Sequence, residues 1–154
     1  MSEKDVYADL AGRMSDVLSG DTLKNALDFA AFLRANGLTV GENLGEVTYA
    51  GEGMCYMHID GSEQVPGPWT IWIGGDFSGE RADVPIDEDM KRIAWEHVNF
   101  CADCGGDCSP GTTKVIFGRE YDGVCSSDMM FTDPDAQALE CAERLLLMKK
   151  SVIA

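Results

Sequence analysis

The chain has 154 residues, 45% of them hydrophobic and 25% charged, with a formal net charge of -15 from 27 acidic and 12 basic side chains. That length fits one domain, expected over residues 1–154, with enough apolar material to fold without a metal or disulfide. The acidity argues against nucleic acid and against anionic membrane surfaces as partners, since both are repelled, and no apolar run approaches the ~20 residues of a membrane span.

Two helices are predicted first. Val6, Leu10, Met14, Val17 and Leu18 recur at helical spacing. After the Ser19-Gly20 break, Asp21 is the expected cap of a second helix with Leu23, Ala26, Leu27, Ala30 and Leu33 on one face. Asn36-Gly37 is its expected left-handed end. Strands follow at Glu46 to Ala50 and Met54 to Asp60, with Gly51-Glu52-Gly53 as the hairpin loop. Gly61 to Pro68 reads as a loop, and Trp69 to Ile73 (WTIWI) as the clearest strand.

A polar segment, Gly74 to Pro85, leads to a third helix expected from Asp87 to Phe100. Its stripe is Met90, Ile93, Ala94, His97, Val98 and Cys101. Lys114 to Gly118 and Val124 to Phe131 read as further strands. Asp133-Pro134 is the expected start of a last helix whose core face includes Leu139, Ala142, Leu145 and Leu146. Strands come in runs and do not alternate with helices. The fold class is therefore α+β: two N-terminal helices, a mostly antiparallel sheet, a cysteine-rich loop after a helix, and a C-terminal helix.

The chemistry concentrates in residues 101 to 111, CADCGGDCSPG. The N-terminus, MSEKDVYADL, lacks an apolar signal region, so a cytoplasmic location is expected. There, clustered thiols bind metal or do redox chemistry more often than they form disulfides. Cys101, Cys104 and Cys108 are spaced Cys-x2-Cys-x3-Cys, and Cys125 follows. Gly105 and Gly106 give the backbone freedom to fold around an ion, and an Asp122-Gly123 turn would present Cys125. Four thiolates suit zinc, so the candidate metal ligands are Cys101, Cys104, Cys108 and Cys125.

Four other readings compete. An iron–sulfur cluster would use the same ligand type, but the ferredoxin run Cys-x2-Cys-x2-Cys-x3-Cys-Pro is not matched. A redox pair at Cys101 and Cys104 would sit at a helix C-terminus, whose negative end disfavours a bare thiolate. His97, one helical turn before Cys101, is a rival fourth ligand, although a lone histidine on an apolar stripe is usually packed core. Free cysteines are often just small buried hydrophobes, the first choice for Cys55 and Cys141. Gly106 to Thr113 lacks the lysine and the strand-to-helix setting of a phosphate loop.

Elsewhere, Trp69 and Trp72 should point to opposite faces of their strand. Met54, Met57, Met129 and Met130 read as core filler. His58, on a strand face with Met54, Tyr56 and Asp60, has no partner identifiable as a general base would need.

The cysteine cluster, Ser109-Pro110-Gly111, Ile116-Phe117-Gly118, Val124-Cys125 and the upstream Pro66-Gly67-Pro68-Trp69-Thr70-Ile71-Trp72 together resemble a family of small uncharacterised bacterial proteins with a C-terminal cysteine cluster. The resemblance covers about half the chain. It implies that the cysteines and Cys125 belong to one unit, and it implies no activity. The expected role is a binding or interaction module with a structural zinc, its partner a protein or a small molecule. The alternatives are a small-molecule enzyme, with the acidic segment 76 to 89 flanking a pocket, and an iron–sulfur or thiol redox protein.

Overall fold

The computed structural model describes residues 6–41, 44–59, 69–75, 77–78, 84, 86–100 and 112–152, without the side chains of residues 125–128. The elements in chain order are α1 (Val6–Val17), α2 (Gly20–Ala35), β1 (Thr39–Val40), β2 (Glu46–Tyr49), β3 (Glu52–Ile59), β4 (Trp69–Ile73), α3 (Glu88–Glu96), β5 (Val98–Phe100), β6 (Thr112–Ile116), β7 (Arg119–Thr132) and α4 (Ala136–Ser151). Among the described residues the strands form one seven-stranded sheet in the order β1-β2-β3-β4-β7-β5, with β6 also on β7. Every pairing is antiparallel. The fold is α+β, as the run of strands predicts.

Alternation along the strands divides the sheet into two faces. One carries Met57 and Ile59 of β3, Trp69, Ile71 and Ile73 of β4, and Met129 and Phe131 of β7, all buried and in register. Phe29 of α2 meets Trp69 there at a ring distance of 6.2 Å. From α4, Leu139, Cys141, Ala142, Leu145 and Leu146 join the same core. Each such large side chain contributes roughly 1.5–3 kcal/mol on burial. The other face carries Tyr56, His58, Thr70, Trp72, Met130 and Thr132. Trp69 and Trp72 thus lie on opposite faces, as alternation requires.

Two tight turns set the hairpin registers. Ala50-Gly51 has φ of 53° and 83°, and Phe117-Gly118 has φ of 45° and 86°. Positive φ at both central residues is the hairpin turn whose twist matches the strands. The first places the β2–β3 turn earlier than the expected Gly51-Glu52-Gly53 loop. Phe117 is bulky for a left-handed position. Its ring packs on Phe77 at 6.3 Å, and its N–H donates to the Phe77 carbonyl at 2.7 Å.

Three helix boundaries correct the sequence reading. α3 ends at Glu96 with His97 as its C-cap, and Val98–Phe100 is strand β5. The apolar stripe continued through Val98, but pairing with β7 overrides helical spacing there. The cysteine-rich stretch therefore follows a strand, not a helix. α2 begins at Gly20 behind Ser19, which makes no side-chain cap bond, so Asp21 is not the cap. α4 is capped by Asp135, whose carboxylate accepts from the Ala138 N–H at 2.8 Å. Asp133, the expected cap, has φ of 43° and closes the β4–β7 ladder, its N–H donating to the Trp69 carbonyl at 2.8 Å.

The end of α2 agrees with expectation. Gly37 has φ of 70°, and the Leu38 N–H donates to the Leu33 carbonyl at 2.9 Å.

Candidate functional site

Cys101, Cys104 and Cys108 lie outside the described residues, and Cys125 lies in β7 with its side chain outside the description. What the fold does define is the backbone on either side of them. Phe100, the residue before Cys101, is the register partner of Val124. Thr112, the residue after the 101–111 stretch, is the partner of Val124 from the opposite side. Val124 is buried and immediately precedes Cys125. The chain therefore leaves for its cysteine segment, and returns from it, beside the residue that leads into the fourth cysteine.

The backbone at Cys125 is itself unusual. β7 pairs with β6 up to Val124 and with β4 only from Met129 onward. Toward β5, the register runs from Phe100 opposite Val124 to Val98 opposite Met129. Residues 125–128 thus face a single β5 residue, Asn99, and fall in the gap between β6 and β4. Asp122-Gly123 is not the expected turn. Gly123, at φ of 71°, sits where the β6–β7 register shifts, a glycine bulge just before Val124. The Thr113 hydroxyl donates to Asp122 across it at 2.8 Å.

His97 has a different setting from the one expected. Because α3 stops before it, the argument that His97 and Cys101 share one helical face does not hold. Its Nδ1 donates to the Ile93 carbonyl at 2.7 Å, which fixes the proton on Nδ1. The ring stacks on Phe131 with centroids 4.7 Å apart. The same boundary removes the helix C-terminus from beside Cys101, and with it the dipole argument against a redox pair.

His97 lines a cleft of about 400 Å³ between α3 and the β7–α4 junction, with Arg92, Glu96, Thr132, Asp133 and Asp135 among its walls. Asp135 is committed to capping α4, and Asp133 accepts from the Trp69 N–H at 3.3 Å. Arg92 is paired with Asp89 at 3.2 Å. Among the described residues, no three His, Cys, Asp or Glu side chains are placed to hold a metal ion. No described helix is long and apolar enough to cross a membrane.

Cys55 and Cys141 are free and buried, as expected of core thiols. Burial pushes the Cys55 thiol up to about 12, opposed by the nearby Lys149 charge. Burial likewise pushes Cys141 up to about 12, helped by Asp87 and Glu140. Cys141 donates to the Met90 carbonyl at 3.4 Å and so ties α4 to α3. Neither is an activated nucleophile.

The face of the sheet away from Phe29 holds the groups that sequence reasoning left apart. Glu46, Tyr56, Trp72 and Met130 form one register row, and His58, Thr70 and Thr132 the next. Tyr56 and Trp72 are 6.2 Å apart and tilted, and His58 meets Trp72 edge-on at 6.4 Å. Met54 does not share this face. A bulge at the Val47/Thr48 register places it in the core, while Tyr56 remains 47% exposed. Only the strand pairing reveals these rows. Comparison with family models, curated proteins and solved structures gives no match.

Proposed function

We propose that the chain is a cytoplasmic binding or interaction module in which Cys101, Cys104, Cys108 and Cys125 hold one structural zinc ion. The supporting observation is the three-strand register at Val124, with Phe100 and Thr112 on its two sides. Closing both ends of a cysteine-bearing segment beside the fourth cysteine reduces the chain entropy that metal binding must overcome. Thiolate ligands in a reducing compartment favour zinc, and four of them close the coordination sphere. Such an ion would organise the segment and would not activate water.

Metal analysis of protein purified without added metal tests this, together with a visible spectrum. The expected result is about one zinc per chain, no visible absorption, and loss of the metal in Cys125→Ser. Metal-free protein whose four thiols titrate freely would overturn the reading. A brown protein with iron and sulfide would replace it with the iron–sulfur alternative.

A small-molecule enzyme is the second reading, and the cleft beside His97 is the observation that favours it. With its Nδ1 held by the Ile93 carbonyl, Nε2 is the ring nitrogen through which His97 would meet a ligand in the cleft, beside the carboxylates of Glu96, Asp133 and Asp135. Ligand-induced shifts of the His97 resonances would support it.

A further inference from the structure

We propose that Tyr56 and Trp72, with Glu46 beside them, form a docking strip for a lysine- or arginine-bearing segment of a partner protein. The proposal rests on the reading of the chain as an interaction module and names the chemistry of its partner. Tyr56 is 47% exposed, the most open aromatic ring among the described residues. It is also held in place. A Cβ on Gly45 would meet Tyr56 Cζ at 2.9 Å and its hydroxyl at 3.0 Å, so the phenol end of the ring packs against that glycine. Its other flank is the Trp72 ring at 6.2 Å. A ring fixed in this way loses little conformational freedom when it is covered.

Aromatic faces attract cations, and this chain already uses that attraction internally. Arg34 lies over Tyr7 at 5.6 Å, Arg119 over Trp95 at 3.8 Å and Lys150 over Tyr49 at 5.1 Å. Among the described residues, no cation lies over Tyr56 or Trp72. Glu46 is exposed and is the register partner of Tyr56, which puts a carboxylate next to the ring. With 27 acidic against 12 basic side chains, the molecule repels anionic partners and attracts cationic ones. Ring face, adjacent carboxylate and overall charge all select a basic side chain.

The test is a titration of the full chain with a tetra-arginine peptide at about 0.15 M salt, followed by NMR of the Tyr56 and Trp72 side chains. Both sets of resonances should move. Tyr56→Ala should weaken binding about tenfold, Glu46→Gln severalfold, and Tyr56→Phe little, because the ring face remains. A tetra-glutamate peptide should produce no shift. Peptide affinity unchanged in Tyr56→Ala would overturn the proposal, since general acidity would then hold the peptide. So would absence of binding, or shifts that follow protein concentration alone, which would assign the face to a second copy. Zinc content measured on wild type and Tyr56→Ala separates the two ideas. A metal-loaded protein that ignores the peptide removes the strip and leaves the module.

Discussion

Thr70 of β4 and Thr132 of β7 are register partners, and both hydroxyls are buried without a hydrogen-bond partner among the described residues. Thr70 is 0% exposed. A buried hydroxyl left unsatisfied costs about 1–3 kcal/mol. Thr70→Val keeps the branched shape and removes the unsatisfied oxygen. It should raise the urea midpoint, by roughly 1 kcal/mol of stability. A loss of similar size would show that the hydroxyl is satisfied in solution.

Helix capping gives a paired prediction. Asp135→Ala removes the bond to the Ala138 N–H and should cost about 1 kcal/mol in thermal or chemical unfolding. Asp21→Ala, at the other plausible cap by sequence, should stay within about 0.5 kcal/mol, because no side-chain cap closes α2. Equal effects would contradict the assigned boundaries.

Glu143 provides a pH signature. Burial, then Glu140 and Asp28, push its carboxyl from 4.5 up to about 7, against the lowering effect of Arg144. The folded chain therefore holds a proton that the unfolded chain releases between those values. This group's contribution to stability is fully present below about pH 4.5 and is lost as pH rises through about 7. Glu143→Gln should stabilise the protein at about pH 8, by on the order of 1 kcal/mol after allowing for solvent contact, and leave it unchanged near pH 4. A gain independent of pH would point to packing as its source.

Thiol chemistry separates two classes of cysteine. Cys55 and Cys141, with thiols pushed up to about 12, should resist alkylation in the native protein at about pH 8 and react on unfolding. With zinc bound at the other four, native protein should titrate almost no thiol, and a chelator should release up to four. Reaction of Cys55 or Cys141 before unfolding would contradict their burial.

The elements readable from the residues are those whose local chemistry agrees with the fold. Trp69 to Ile73 was legible because aromatic and β-branched residues favour strand, and β4 has those bounds. The end of α2 was legible because Gly37 supplies the positive φ that the cap needs. The reading failed where tertiary pairing decides. Val98 continued the apolar stripe expected of a helix, and only the partner strand β7 makes Val98 to Phe100 extended. Asp133 looked like a cap because proline follows it, but its contacts with Trp69 hold it at the end of the ladder. The juxtaposition of Phe100, Val124 and Thr112 was invisible for the same reason, since it depends on register between distant segments. The strip at Tyr56 and Trp72 needed both that register and the bulge that turns Met54 inward.

The placement of β7 also governs how the chain can fold. Trp69 to Ile73 takes one of its two neighbours from residues 129–132, so this apolar strand keeps an open edge until most of the chain has been synthesised. Contacts so distant in sequence slow folding, because a long loop must close before they form. Until then WTIWI is a short, uncharged, β-prone segment with an unpaired side, the composition that seeds aggregation. The late arrival of one strand therefore leaves an aggregation-prone edge to be protected while the chain folds.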